Sequence, residues 1–383
     1  MGAGVWKLKD IGLWPDVRAG GMFRRNVRVL IQNANGPCSL LALANCLLLR
    51  GSIHIPTKNT SITYDQLSLL IADFLVTRPN DNSVLTLESA LSILPTMTQG
   101  LDVDVAFDGI NNFKGISARD SGELSVFNFA GVDLVHGWLA DQGMKEEYEA
   151  LQRAGSYEGA QERIVAGLEA ETRAVGISEG NEPNVSEEDQ QAISDSQHLQ
   201  AFLQNSSSQL TYPGLFALSA LEPGSVVAFF RNSHLSVLYR RYDPQPDSGE
   251  PADAPVLFQL VTDSAFRKEP EITWESIVDV DNSGSGFYSS EFRPAGAAGG
   301  DFAGLDAEHA LINARGQDRI VDDSADRQLA AALQDEEDGN AARQHDQDER
   351  RRQVRMNPAA ERRARPDEGK KKEKKDKKDC VIM

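Results

Sequence analysis

The sequence predicts an α+β protein followed by a tail, from three observations: an early apolar helix, a later group of short β-rich runs, and a change of composition near residue 293. The helix is Pro37 to Arg50. Proline suits its first turn, the run Ser39-Leu40-Leu41-Ala42-Leu43-Ala44-Asn45-Cys46-Leu47-Leu48-Leu49 holds no breaker, and Gly51 supplies the stop. Apolar on nearly every face, it reads as a buried central helix. Residues 225–230 and 234–239 read as strands joined by the polar turn Arg231-Asn232-Ser233, with a third strand at 256–261. Helix first and antiparallel strands later is the α+β order. After Phe292-Arg293-Pro294 the chain turns to Ala, Gly, Asp, Gln and Arg with few aromatics. Residues 1–293 are therefore expected to form the folded body, and 294–383 a flexible, disordered tail. Residues 177–197 are polar and acidic and read as a surface loop.

Composition excludes several classes of function. Hydrophobic residues make up 40% of the 383, enough for a core, while 58 Asp and Glu against 39 Lys and Arg leave a formal charge of -19. So acidic a body is repelled by phosphate backbones, so nucleic acid is not an expected partner. Three cysteines, Cys38, Cys46 and Cys380, with no CxxC or Cys/His cluster, argue against a disulfide framework and a structural zinc site. A reducing, cytoplasmic location is expected. No apolar run approaches the roughly 20 residues of a spanning helix, and the first residues lack a cationic segment with an apolar core after it. Gly2 invites a myristoylation reading, but Trp6 stands where that motif wants Ser or Thr.

Cys38 closes the polar, turn-forming stretch Gln32-Asn33-Ala34-Asn35-Gly36-Pro37 and opens the buried helix. The partial positive charge of a helix N-terminus favours thiolate over thiol, and the first-turn N–H groups can hold an oxyanion. Gln32 lies six residues before Cys38, the spacing at which papain-like peptidases place an oxyanion-donating glutamine. The papain signature itself, C-G-[SA]-C-[WY], is absent. A thiol nucleophile needs a base that later protonates the leaving amine, usually histidine. Of six histidines, His54 follows the helix in a loop, His136 precedes Gly137-Trp138-Leu139, His198 lies in a polar helix, and His309 and His345 fall in the tail. His234 opens a strand directly after a turn, where a rigid hairpin aims an imidazole into a cleft. Asp263, ending the next strand, or a polar residue beside it, is the candidate to orient that ring. Cys46, inside the apolar helix, reads as core.

These residues resemble the MINDY deubiquitinases. The segment Gln32-Asn33-Ala34-Asn35-Gly36-Pro37-Cys38-Ser39-Leu40-Leu41-Ala42-Leu43-Ala44-Asn45 is similar to that family's Q-N-x-N-G-P-C stretch. Further similar segments follow in the same order. They are 99–105, Leu134-Val135-His136-Gly137-Trp138-Leu139, 209–215, Phe229-Phe230-Arg231-Asn232-Ser233-His234-Leu235-Ser236 and Leu260-Val261-Thr262-Asp263-Ser264-Ala265-Phe266. The resemblance implies a papain-like catalytic fold and hydrolysis of isopeptide bonds in lysine-48-linked polyubiquitin. It implies Cys38 as nucleophile, His234 as general base and Gln32 as oxyanion donor, with Trp138, Tyr157 and Phe230 holding the distal ubiquitin. The family commonly has proline after the cysteine, where this chain has Ser39, so alignment of the resting thiol is in question. No metal or cofactor is implied, and a monomer is expected. The rival readings are a polyubiquitin-binding adaptor without turnover, a cysteine acyltransferase and a non-catalytic membrane scaffold.

In the tail, residues 326–337 are compatible with a short amphipathic helix in which Leu329, Ala330 and Leu333 share a face. It reads either as an ordinary solvated helix or, by its resemblance to the family's motif-interacting-with-ubiquitin, as a tethered second site that raises local chain concentration. Cys380-Val381-Ile382-Met383 fits a C-a-a-X prenylation pattern, with Met favouring farnesyl at Cys380, after Lys370, Lys371, Lys372, Lys374, Lys375, Lys377 and Lys378. One lipid beside a basic patch suits an anionic membrane surface.

Overall fold

Two strands precede the helix that the sequence places first. In the computed structural model, which describes residues 4–15, 24–33, 36–78, 86–99, 101–114, 124–177, 186–243, 251 and 254–295, β1 (Val5–Pro15) pairs antiparallel with β2 (Arg24–Ile31). β3 (Ser61–Thr63) joins the other edge of β1, giving the order β2-β1-β3. Lys7, Lys9 and Asp10 interrupt the apolar pattern of β1, which hides it from a reading by alternation. Its register shifts between Asp10 and Gly12, where a φ of 74° suits glycine.

Helix α1 (Cys38–Leu49) follows β2, and every residue from Ser39 to Leu49 is buried. It ends where expected: Gly51 has a φ of 70°, and its N–H donates to the Leu48 carbonyl. A Cβ at Gly51 would meet the Arg25 guanidinium at 3.0 Å, and that guanidinium caps the Leu48 and Leu49 carbonyls at 2.6 and 2.7 Å.

A second sheet carries the expected hairpin. Its order is β4 (Leu134–His136), β5 (Val226–Arg231), β6 (His234–Arg240), β7 (Leu257–Leu260), β8 (Trp274–Ser276) and β9 (Phe287–Tyr288). The sheet is mixed rather than purely antiparallel, because β4 runs parallel to β5. A three-residue strand that reaches its partner only after a long helical excursion carries no hairpin signal. Short helices α2 (Tyr64–Thr77), α3 (Leu87–Ile93) and α4 (Ser125–Phe129) lie between α1 and β4 in the chain. Between β4 and β5 come α5 (Lys145–Ala154), α6 (Tyr157–Ile177), α7 (Glu187–Asn205) and α8 (Tyr212–Ser219). The class is α+β, with two sheets and eight α-helices among the described residues.

The acidic segment expected to be a loop over 177–197 is largely helix α7. Ser186 caps it by accepting the Asp189 N–H, and Glu187, Glu188 and Asp189 sit in its first turn, where the helix dipole favours negative charge. Low hydropathy concealed it, because Leu199 and Phe202 are its only buried apolar side chains and a buried carboxylate sits beside them. Asp195, 1% exposed, accepts from Arg153 Nε at 3.0 Å and Nη2 at 2.6 Å, from Arg163 Nη1 at 3.3 Å and from Gln191 Nε2 at 2.7 Å. Burial alone would raise this carboxyl, but its hydrogen bonds and the two guanidinium charges hold it below the usual range. α5, α6 and α7 are thereby tied at one point. Asp195→Ala strands two cations around an apolar methyl and should lower the unfolding free energy by about 3 kcal/mol in urea titration. A loss within experimental error would show that apolar contacts alone hold the three helices.

Candidate active site

The N-terminus of α1 is built for chemistry rather than closed off. Pro37 is its N-cap and provides no side-chain cap, no acidic residue occupies the first turn, and Cys38 is half-buried as a free cysteine. The N–H groups of the first turn therefore face the mouth of the helix with the positive end of its dipole. Ser39, fully buried, donates its hydroxyl to the Met97 carbonyl at 3.1 Å, which moors this end of the helix beside the thiol. The Ser39 position is thus filled by a packed, bonded side chain.

Gln32 leaves β2 in a defined setting. Its N–H donates to Thr262 O at 2.8 Å, it forms a parallel bridge with Asp263, and its Nε2 donates to Gly36 O at 3.1 Å. A primary amide has two N–H donors, so one remains for a ligand while the other holds the turn. Gln32 and Asp263, far apart in the chain, are side by side. Asp263 also caps the turn Ser264–Phe266 by accepting the Ala265 N–H at 2.8 Å.

His234 follows a two-residue hairpin turn. Asn232 and Ser233 have φ of 52° and 55°, the signature of a type I′ turn, and Arg231 pairs with His234 across it. Serine tolerates that conformation poorly, and here its N–H is held by Gln209 Oε1 at 2.9 Å. Sequence reasoning passed over Gln209, because a contact across 24 residues leaves no local pattern. Burial lowers the His234 imidazole below its usual range, favouring the neutral, proton-accepting form.

α1 and β6 share an anchor on β5. Arg50, just past α1, donates Nε to Val226 O at 2.9 Å, and Val226 pairs with Tyr239 of β6. α1 packs along β6. From that common point, α1 extends back about 18 Å to Cys38 at 1.5 Å per residue, and β6 extends back about 17 Å to His234. The β6–β7 register pairs Leu238 with Gln259 and Arg240 with Leu257.

The aromatic residues expected to hold a partner lie elsewhere. Trp138, 4% exposed, donates Nε1 to Ser206 Oγ at 2.6 Å and packs edge-on to Phe107 and stacked on Phe202. Phe230 is also buried, against Phe113. In this conformation both pack in the core and offer almost no surface. Tyr157 is half-buried, beside Trp138. Leu329, Ala330, Leu333 and Cys380 lie outside the described residues. Two cavities of about 300 Å³ are present, one lined by residues including Arg25, Arg28 and His54, the other by Phe107, Leu139, Tyr148 and Pro213. Neither is lined by Cys38 or His234.

Fold and site together define an α+β protein organised around a buried helix that presents a cysteine at its N-terminus. A sequence profile described as MINDY deubiquitinase matches residues 5–292, and the chain belongs to that family. Among its relatives is ubiquitin carboxyl-terminal hydrolase MINDY-2 of Homo sapiens, 30% identical over 341 residues, which cover 83% of this chain and 49% of the relative. Ubiquitin carboxyl-terminal hydrolase MIY1 of Saccharomyces cerevisiae is 32% identical over 280 residues, 71% of this chain and 70% of the relative. MINDY-1 of Homo sapiens is 30% identical over 274 residues, 69% of this chain and 51% of the relative. The chain thus spans about half the length of the MINDY-2 and MINDY-1 relatives.

The remaining buried histidine and cysteine are structural. Burial pushes the Cys46 thiol up to about 12, so it is no nucleophile. Burial likewise pushes His136 down to about 4; its Nδ1 accepts the Trp138 N–H at 3.2 Å and its Nε2 faces Asn112 O at 3.2 Å, fixing the neutral Nε2–H tautomer. The folded form refuses a proton that the unfolded chain accepts near 6.5. Stability is full above that value and falls as pH drops towards 4, by about 3 kcal/mol in all. Chemical denaturation at pH 7 and pH 4 should show this slope, and His136→Asn should lack that part of it; equal slopes would refute the assignment.

Proposed function

We propose that this chain is a thiol-dependent deubiquitinase with a papain-like catalytic arrangement, hydrolysing isopeptide bonds in lysine-48-linked polyubiquitin. Family membership and the names of the relatives support the substrate class. The observation that supports the mechanism is the backbone bridge between Gln32 and Asp263, two members of the proposed set that lie far apart in the chain.

In this reading His234 takes the proton of Cys38, and the thiolate attacks the carbonyl at the ubiquitin C-terminus. Gln32 Nε2 and the first-turn N–H groups of α1 stabilise the oxyanion. Protonated His234 then gives its proton to the departing lysine amine, leaving a thioester that water hydrolyses while His234 again serves as base. Asp263 orients His234. The chemistry needs no metal or redox group. Residues 1–293 are the catalytic body. Within 294–383, the segment carrying Leu329, Ala330 and Leu333 acts as a second ubiquitin contact, and Cys380 is a farnesyl acceptor for membrane attachment. Of the aromatic set, Tyr157 is the residue with surface to offer a bound ubiquitin.

Incubation with polyubiquitin of defined linkage tests the proposal. Wild type should shorten lysine-48-linked chains, Cys38→Ala should bind them without cleavage, and Gln32→Ala should lower kcat by about a hundredfold. Wild type that binds every chain and cuts none would establish the adaptor reading instead; transfer of the thioester to an added amine in preference to water would establish the acyltransferase.

A further inference from the structure

Lys9 is the one residue of β1 whose chemistry neither the sheet nor the core requires. It sits opposite Val29 in β2, between the buried Trp6 and Ile11, and is only 4% exposed. An ammonium in such a place carries a large desolvation cost unless its donors are met. They are met by one loop. Nζ donates to Phe266 O at 2.8 Å and to Ile272 O, both in the segment between β7 and β8.

That segment begins at the candidate active site. Thr262 O takes the Gln32 N–H, Asp263 bridges Gln32 and caps Ser264–Phe266, and Val261 N–H donates to Thr273 O at 2.9 Å across the neck of the loop. Phe266 and Ile272 pack with Val261 and against Phe287 in a small apolar cluster, which gives cohesion without direction. Two bonds from Lys9 fix its body to β1, whose neighbour β2 delivers Gln32. Burial lowers the amine to about 8, opposed by the Glu269 carboxylate of the same loop, while Lys7, two residues back on β1, is exposed.

We propose that Lys9 is a positioning residue for the Cys38 site, its ammonium holding residues 264–272 against β1 and so fixing Asp263 beside Gln32. This rests on the reading of Cys38, His234 and Gln32 as the catalytic set. An apolar side chain at this position would fill the same space without turning two carbonyls towards β1, so packing and positioning are separable by substitution.

The test compares full-length wild type, Lys9→Met and Lys9→Arg at a temperature where all are folded, with lysine-48-linked ubiquitin chains as substrate and iodoacetamide as a probe of Cys38. Lys9→Met should lower kcat about tenfold with KM nearly unchanged, and slow alkylation of Cys38 in parallel, because a displaced Asp263 no longer supports the His234–thiolate pair. Lys9→Arg, which keeps the charge and adds donors, should recover most of the loss. A Lys9→Met protein that melts earlier yet keeps both kcat and the alkylation rate would overturn the proposal. Should wild type cut no chain while Lys9→Met still slows alkylation, the proposed function fails and the positioning role stands. Should Lys9→Met not fold, Lys9→Gln, which keeps the stem and one donor group but no charge, decides the matter by the same two readouts: a parallel fall in kcat and alkylation rate supports the proposal, and no change in either refutes it.

Discussion

Asn45 holds the structure's central helix in register. An apolar helix buried on every side has no preferred rotation or axial position against neighbours that are equally apolar, because hydrophobic contact is not directional. Asn45, 1% exposed and midway along α1, removes that freedom. Its Oδ1 accepts the Leu30 N–H at 2.7 Å and its Nδ2 donates to the Leu30 carbonyl at 3.1 Å, as a neighbouring strand would. A side-chain amide mimicking a peptide joins the helix to β2 at one fixed register. Since Gln32 leaves β2 two residues past Leu30, the same pair of bonds sets how far Gln32 lies from Cys38.

Two arginines act in the same manner. Arg50 ties the end of α1 to Val226 of β5. Arg231, 6% exposed, donates Nε to Ser208 O at 3.0 Å, Nη1 to Asn282 Oδ1 at 2.7 Å and Nη2 to Val280 O at 2.7 Å, so the hairpin tip that carries His234 is braced from two directions. Apolar packing supplies the cohesion of this protein, and a few buried polar side chains supply its alignment. Unmet groups in such places are costly, which is why a one-residue slip is disfavoured out of proportion to the area involved.

This division explains what could be read from the sequence. α1 was legible because proline and glycine punctuate an unbroken apolar run, and β5 and β6 because two β-rich runs flank a short polar turn. The positions of Cys38 and His234 were legible because each opens such an element. β1 was not, since Lys9 and Asp10 break its pattern, and only tertiary structure shows Lys9 to be buried. α7 was hidden for the same reason: one of its few buried side chains is Asp195, a residue that any hydropathy reading assigns to solvent. Trp138 and Phe230 pose the opposite case, being buried where the resemblance implies a contact with a partner. An aromatic ring next to a candidate site looks the same in sequence whether it faces a ligand or fills the core.

The turn before His234 shows what the alignment is for. Asn232 and Ser233 both hold positive φ, and a serine in that region persists only where its surroundings over-determine it. Gln209 and Arg231 do so, one through the Ser233 N–H and the other through Ser208. A histidine at the centre of a strand would be directed by the pleat alone; one that follows a constrained turn is directed by the turn, independently of the sheet beneath it. Cys38 is placed by equivalent means, at the first residue of a helix whose register Asn45 fixes. The two groups belong to separate elements, each held by its own polar contacts, and such pre-organisation is what the proposed chemistry requires for stabilising an oxyanion.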